Sequence, residues 1–318
     1  MFGPQTSMSQ TIGPVTAGNG STVYAGTFNS SVAQEQQNAQ QALSFPEMYN
    51  RLHEISDATS GTCQWILENH TFRDWQNAQR GLLWIKGKPG VGKSTIMKYL
   101  WNDSTAETSS ETQITASFFC HGRGVDLQKS PMGIFRALLH QIVEKVPQFY
   151  EDLENKFRAR CKSQGSHGSA WAWTEPELRN LTKDYLSSCR DLELLIFVDA
   201  LDECGEDKAR DLLDFFQGVV AASEAQSDSG LRICVSSRHY PLVRSDVLYQ
   251  VIVDGENLAD IQTYVAQKHK LFRRNTQYDE LVSSISWRAQ EIFQWSVLVV
   301  PRVVKSLEGM KPVELILQ

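Results

Sequence analysis

Gly87-Lys88-Pro89-Gly90-Val91-Gly92-Lys93-Ser94 satisfies the pattern G-x-x-x-x-G-K-[ST], and its flanks matter as much as the pattern. Upstream, Gly81-Leu82-Leu83-Trp84-Ile85-Lys86 is a short apolar run without helical period, which predicts a buried strand. Downstream, Thr95-Ile96-Met97-Lys98-Tyr99-Leu100-Trp101 predicts a helix whose N-terminus points back at the loop. Glycines at 87, 90 and 92 permit φ > 0, where side chains are disfavoured. Such a loop, running from Gly87 and Lys88 through Pro89, Gly90, Val91 and Gly92 to Thr95, wraps an anion with the N–H groups of its residues other than Pro89, while the helix end adds partial positive charge. Lys93 is placed to reach β- and γ-phosphates, and the Ser94 hydroxyl to ligate Mg²⁺. The implied ligand is a nucleoside triphosphate, ATP or GTP, with Mg²⁺. Base-reading residues lie in weakly patterned segments, so the base stays open.

A second stretch supports the first. Leu192-Glu193-Leu194-Leu195-Ile196-Phe197-Val198 predicts an apolar strand that ends in Asp199-Ala200-Leu201-Asp202-Glu203. A carboxylate at the tip of a buried strand is where P-loop NTPases place a second Mg²⁺ contact, so Asp199 is the candidate. Either Glu203 or Asp202 is positioned to orient or deprotonate an attacking water. An acidic helix start would favour carboxylates at both places as well.

Composition narrows the class. The 318 residues suffice for one large domain or two modest ones, and mean hydropathy is −0.34. A net charge of −6 argues against nucleic acid as the principal partner, and the basic cluster from Lys268 to Arg274 reads as a solvated helix end. Cysteines at 63, 120, 161, 189, 204 and 234 form no C-x-x-C pair, which predicts a reducing compartment without a disulfide framework or zinc site. No apolar run approaches the ~20 residues of a membrane span. The first basic residue is Arg51, so neither a secretory signal nor a mitochondrial presequence is legible, and a cytoplasmic location is expected.

Residues 1–42 are rich in Gly, Ser, Thr, Asn and Gln, with Glu35 the only charge, and cannot bury enough apolar surface to pack as a domain. Within them, Val15 to Phe28 is uncharged, lacks Pro and carries β-favouring residues, a composition also compatible with in-register stacked strands. Residues 43–255 then read as leading helices from Phe45 to Trp75, broken at Ser60-Gly61, followed by strands alternating with helices. Beyond the two strands above, Ile114 to Cys120, Leu231 to Ser236 and Tyr249 to Val253 read as strands. Asp103 to Thr112 and 163–174 read as loops, and Pro131 opens a helix. The sum is an α/β fold: a five-stranded, mainly parallel sheet flanked by helices, with ligands expected at the carboxyl ends of the strands. Residues 256–318 read as a small helical subdomain whose last helix is expected to end near Pro301.

Four stretches together resemble the NACHT-type signal-transduction NTPases, also called nephrocystin-like, and in particular filamentous-fungal NOD-like receptors. They are Thr62 to Leu67, Gly81 to Leu100, Phe118 to Leu139 with Arg123-Gly124, and Phe197 to Cys204; a weaker match runs from Leu258 to Val300. The small Ala200 after Asp199, with the acidic pair further on, is the most discriminating detail. The resemblance implies that Arg238, in Val235-Ser236-Ser237-Arg238, is a sensor arginine for the γ-phosphate; its fork of N–H donors suits phosphate oxygens. It also implies a signalling switch that binds NTP–Mg²⁺, forms a homo-oligomer on activation and hydrolyses slowly. In fungal relatives a short N-terminal segment can template a downstream partner protein as an amyloid, and Gly18 to Gly26 looks loosely like such motifs.

Two departures stand out. Gln290-Glu291-Ile292-Phe293-Gln294-Trp295 has Glu291 where the family often carries Gly, which puts local helix packing in question. Family members usually continue into a winged helix and sensing repeats, so a fragment or a sensor-less form is expected. The competing readings are a turnover ATPase or nucleotide kinase on the same fold, and an interaction scaffold with a degenerate pocket. No L-S-G-G-Q signature or Arg-rich lid is legible, and intact Lys93, Ser94 and Asp199 oppose the scaffold.

Overall fold

The computed structural model describes residues 39–106, 112–188, 192–223, 230–239, 249–269 and 278–308. The readings made for residues 1–38, including the stacked-strand segment, therefore lie outside the described residues.

Short helices α1 (Asn50–Glu54), α2 (Trp65–Glu68) and α3 (His70–Asn77) lead into β1 (Arg80–Lys86) and the glycine loop. Next come α4 (Lys93–Ala106), β2 (Gln113–Phe119), a 3₁₀ turn (Asp126–Lys129), α5 (Pro131–Lys145), α6 (Pro147–Gln164) and α7 (Glu175–Ser188). The chain continues through β3 (Glu193–Asp199), a 3₁₀ turn (Leu201–Cys204), α8 (Glu206–Ser223), β4 (Gly230–Ser237) and β5 (Tyr249–Ile252). It closes with α9 (Leu258–His269), α10 (Tyr278–Ala289) and α11 (Phe293–Glu308).

The strands form one sheet in the order β2-β3-β4-β1-β5, every pair parallel. The loop-bearing β1 and the carboxylate-bearing β3 are thus not neighbours, because β4 lies between them. Period-2 alternation splits β1, β3 and β4 between two cores. Leu82 and Trp84 face the layer that contains α5 and α8, together with Ile196, Val198, Ile233 and Val235. Leu83 and Ile85 face the layer of α3 and α4, together with Leu195, Phe197 and Cys234. A sheet buried on both faces needs continuous apolar strands, which is why these runs lack polar alternation. A third cluster, with Ile261, Tyr264, Ile285, Val300 and Val303, holds α9, α10 and α11 together.

The structure departs from the sequence reading in several places. Helix α6 has no counterpart there, because seven of its 18 residues are charged and few are apolar. Pro147 opens it, Leu153, Glu154 and Phe157 are buried along it, Arg158 pairs with Glu154, and a Lys156–Asp152 pair lies on its exposed side. Helix α4 runs on to Ala106, past the expected loop start at Asp103, with Ser104 and Thr105 hydroxyls donating back to Leu100 O and Trp101 O. Pro301 does not end α11. It sits inside the helix, where Val300 and Val303 bury against the third cluster and hold the helix across the missing N–H.

Gly133 shows how tightly α5 seats. Ser130 caps the helix by accepting the Gly133 N–H at 3.3 Å, and a Cβ at 133 would lie 1.7 Å from the backbone oxygen of Leu127. Alanine would gain roughly 1 kcal/mol of helix propensity, but the obstacle is backbone and overpacking costs roughly 1–3 kcal/mol or more. Gly133→Ala is therefore expected to lower the unfolding temperature, as measured by circular dichroism.

Candidate nucleotide-binding site

The glycine loop connects β1 to α4 as expected, and its glycines have separable reasons. Gly90 (φ +80°) and Gly92 (φ +107°) occupy the left-handed region. Gly87 does not, contrary to the sequence reading. It is needed because a Cβ there would stand 2.9 Å from Val91 Cγ2 and 3.1 Å from Asp254 Oδ2. A Cβ on Gly92, in contrast, would meet nothing within 4 Å. The loop opens there.

Lys93 is the first residue of α4 and is almost wholly buried. Its ammonium folds across the loop and donates to Gly87 O at 2.7 Å and Lys88 O at 2.9 Å. Burial lowers its pKa, while Asp202, Asp199 and Asp254 pull the other way. Asp199 ends β3 fully buried. Its Oδ1 accepts from Ser236 Oγ of β4 at 2.5 Å, and that hydroxyl oxygen also accepts the Ala200 N–H at 2.9 Å. Asp199 Oδ2 has no hydrogen-bond partner. Burial raises the pKa of this carboxyl, and Ser236, Ser94, Arg51 and Lys93 oppose the shift.

Ala200 takes a left-handed conformation (φ +56°), which costs an L-residue roughly 1–2 kcal/mol and explains why a small side chain follows Asp199. The turn then delivers Asp202 and Glu203. Asp202 spends both oxygens on Arg238: Oδ1 accepts its backbone N–H at 3.0 Å, and Oδ2 pairs with Nε at 3.0 Å. Glu203 Oε1 lies 3.6 Å from the same guanidinium. Its other oxygen rests on Gly122, where a Cβ would come within 1.8 Å of it. The structure thus brings Lys93, Ser94, Asp199, Asp202, Glu203 and Arg238 to one end of the sheet. All of these but the fully buried Asp199 line a cleft of about 920 Å³, together with Arg51 and Arg123.

Helices α9 to α11 reach this loop as well. Gln294 N–H donates to Gly90 O at 2.9 Å, and Asn257 Nδ2 bridges Val91 O and Glu291 O at 2.9 and 2.6 Å. Lys88 pairs with Glu291 at 3.3 Å and with Asp254 at 3.7 Å. Glu291, which stands where the resembled family often has Gly, has φ +70°, the conformation glycine favours. The Phe293–Trp295 run still packs against the third cluster.

Several contributors were not read from sequence. Ser236 stands two residues before Arg238 along β4, and that period-2 relation was an available signal. Arg51, Asp254 and Asn257 carry no local pattern; only the fold brings them to the loop.

The residue set fits Mg²⁺. A buried carboxylate oxygen without a partner, beside a hydroxyl at a helix start, offers the hard oxygen donors that this ion prefers. Among the described residues no group of three or more His, Cys, Asp or Glu could hold a metal, so phosphate oxygens and water would have to complete its shell.

A family profile described as nephrocystin 3, N-terminal matches residues 61–238, more than half of the chain. The chain belongs to this family. The matched span takes in the glycine loop, Asp199, the acidic turn and Arg238, and leaves out α9 to α11 with their contacts to the loop. No curated protein sequence matches the chain significantly. Among solved structures, the Aeropyrum pernix ORC2 protein in its ADPNP-ADP complexes is similar at 12% identity and a TM-score of 0.50, over 84% of this chain and 69% of that one. The Aeropyrum pernix ORC1 protein in complex with DNA gives 10% identity and 0.47, over 86% and 65%. AMPPCP-bound DnaA from Aquifex aeolicus gives 14% and 0.38, over 85% and 67%. The chain spans about two thirds of the length of these proteins. What the nephrocystin 3, N-terminal member shares with ORC2 is a fold, the five-stranded parallel P-loop NTPase sheet with flanking helices.

The buried Asp199 yields a prediction whose sign follows from its pKa. A carboxyl raised by burial favours the native state while protonated and costs stability once the pH passes its folded pKa. At neutral pH, Asp199→Asn should therefore raise the unfolding temperature of the ligand-free protein, at roughly 2–4 °C per kcal/mol relieved. The gain should vanish as the pH falls through the range where Asp199 protonates. Differential scanning fluorimetry across pH reads both.

Proposed function

We propose that this chain is a nucleotide-dependent signalling switch. It binds NTP–Mg²⁺ in the cleft, oligomerises in that state and returns by slow hydrolysis, as in fungal NOD-like receptors of innate immunity or heterokaryon incompatibility. The observation that carries the reading is the pairing of an open glycine cradle with a buried, half-satisfied carboxylate and a buried lysine. Burying a carboxylate with one oxygen unpaired is costly, and a phosphate-bound cation would offset that cost. The domain division at about 42 and 255 belongs to the same proposal, with residues 256–318 as the element that follows the state of the loop.

The roles divide by geometry. Lys93 and the loop amides would bind the phosphates, while Ser94 and Asp199 would hold Mg²⁺, whose chemistry would be to neutralise phosphate charge. Glu203 is the better base of the acidic pair, because Asp202 is fully engaged with Arg238. Arg238 would leave both carboxylates to reach a γ-phosphate. A partner role for nucleic acid does not fit the net charge of −6. Among the described residues no helix is long and apolar enough to cross a membrane, and a cytoplasmic site of action is proposed.

Titration of labelled ATP and GTP with Mg²⁺ tests the reading. Wild type should bind, Lys93→Ala should lose at least tenfold in affinity, and Glu203→Gln should bind normally, stall hydrolysis and favour the oligomer in light scattering. Unchanged affinity in folded Lys93→Ala would overturn the site, and rapid steady-state turnover in wild type would overturn the switch.

Templated assembly by residues 1–42 is the second part of the proposal, resting on composition alone. Val15, Val23, Tyr24 and Phe28 could pack between layers and Asn19 and Asn29 could stack their amides. A peptide of residues 10–32 should give the ~4.7 Å cross-β reflection, and Val23→Lys should abolish it. A peptide that stays monomeric at high concentration leaves a plain tail.

A further inference from the structure

Two buried thiols meet directly beneath the acidic turn. Cys120, the residue after β2, and Cys204, the last residue of the turn that carries Asp202 and Glu203, have their sulfurs 3.9 Å apart. They are 2% and 7% exposed. Among the described residues no other pair of cysteine sulfurs makes such a contact. Cys63 is buried with its thiol pushed up to about 12 by burial and by Asp260, and Cys234 is buried with its sulfur 3.6 Å from Met97 Sδ. Cys161 is only partly buried.

The backbone around the pair leaves little slack. Cys120 N–H donates to Asp199 O at 3.1 Å, which ties its position to the end of β3. The turn is closed by Glu203 N–H to Ala200 O at 3.0 Å and Gly205 N–H to Asp202 O at 3.1 Å. Two residues beyond Cys120 lies Gly122, on whose backbone the Glu203 carboxylate rests so closely that a methyl group could not be inserted.

We propose that Cys120 and Cys204 are a redox-modifiable site: a hydroperoxide joins them as a disulfide, and the crosslink displaces Glu203 without disturbing the phosphate cradle. The step balances as follows. The sulfur of Cys204, the more exposed residue of the two, attacks the O–O bond and becomes S–OH, and the other peroxide oxygen leaves as water from hydrogen peroxide or as the alcohol from an alkyl hydroperoxide. Cys120 sulfur then attacks that sulfur, the S–O bond breaks, and the hydroxyl leaves with the Cys120 proton as water. Both sulfurs are oxidised by one electron each, and the peroxide is reduced by two.

The effect on Glu203 follows from distance. The sulfurs must close from 3.9 Å to the ~2.05 Å of a disulfide bond. That draws the end of the turn toward β2, in the direction where Glu203 already abuts Gly122. Its side chain has no room to follow and must swing out, away from a position facing a γ-phosphate. Lys93, Ser94 and the glycines belong to β1 and α4, which the crosslink does not touch. The oxidised protein therefore keeps nucleotide and loses turnover. In a reducing compartment the pair rests as thiols, so the response is to sustained oxidant. The contact with Cys204 and burial push the Cys120 thiol well above its ordinary value.

The loss of turnover rests on the function proposed above, whereas the crosslink does not, and the experiment separates the two. The full chain is treated with hydrogen peroxide, quenched with a thiol alkylating agent and mapped by mass spectrometry. ATP and GTP binding and single-turnover hydrolysis are measured before oxidation, after it and after dithiothreitol. A 120–204 crosslink, unchanged nucleotide affinity, hydrolysis slowed at least tenfold, recovery on reduction and no slowing in Cys120→Ala are expected. Peptides showing both cysteines free after prolonged oxidation of folded protein overturn the proposal and leave the pair as apolar filling. Slowing that persists in Cys120→Ala also overturns it. A crosslink in protein that binds no nucleotide would sustain the redox site and sink the switch instead.

Discussion

One buried carboxylate organises this molecule. Asp199 stands fully enclosed at the end of β3, with a single hydrogen bond to its Oδ1 and none to Oδ2. Removing such a group from water costs several kcal/mol, and removing it half-paired costs more. The surroundings offset part of that: the Ser236 and Ser94 hydroxyls and the charges of Arg51 and Lys93 all favour the ionised form, yet burial still prevails and the pKa is raised. Strand order is what makes even this possible. Because β4 lies between β1 and β3, it can present Ser236 to Asp199 on one side and keep the glycine loop in register on the other. A hydrogen-bonded β1–β3 pair would leave Asp199 without that hydroxyl.

The loop itself is restrained from outside as well as shaped from within. Its interior is set by Gly90 and Gly92, but Lys88, Gly90 and Val91 are all engaged by Glu291, Gln294 and Asn257. Glu291 holds this position at φ +70°, an expensive conformation for a residue with a side chain. A glycine would relieve the strain and forfeit the ion pair with Lys88. The strain relieved is roughly 1–2 kcal/mol, against an exposed pair worth roughly 0–1 kcal/mol. The substitution therefore keeps the geometry of the contact while adding a charge to it. Any rearrangement of residues 88–91 on taking up phosphate must be transmitted to α11 through these bonds or break them.

Much of this was legible in sequence for identifiable reasons. Strands buried on both faces read as unbroken apolar runs, so β1, β3 and β4 were found nearly to the residue. The glycine loop and Asp199 followed because their motif depends on local backbone geometry. Helix α6 was missed because its buried face reduces to a few residues, Leu153 and Phe157 among them, within a charged stretch. Pro301 misled because tertiary burial of its neighbours outweighs the local penalty for interrupting α11. Strand order, Arg51 and Asn257 were out of reach, since they depend on contacts between residues far apart in the chain. Ala200 is the instructive middle case. Its small size was noticed, but only the left-handed φ gives the reason for it.

Within the proposed switch, magnitudes favour different roles for Asp202 and Glu203, which residue type leaves open. Both are acids within reach of the cleft, and both lie near Arg238. Asp202 is little exposed and takes the backbone N–H and Nε of Arg238 at 3.0 Å each, while Glu203 touches the guanidinium only at 3.6 Å. Arg238 is half exposed, so even the stronger of these pairs is screened and worth about 1 kcal/mol or less. A charge-assisted fork to phosphate is roughly twice as strong as a neutral hydrogen bond, and the phosphate carries more charge than a carboxylate. Within the proposed switch, Arg238 would therefore exchange carboxylate for phosphate at a net gain. Its backbone bond to Asp202 Oδ1 can persist through that exchange, whereas the contact with Glu203 cannot. Asp202 then anchors the strand end that carries the arginine. Glu203, released and still propped against Gly122, is the carboxylate left free to face a water.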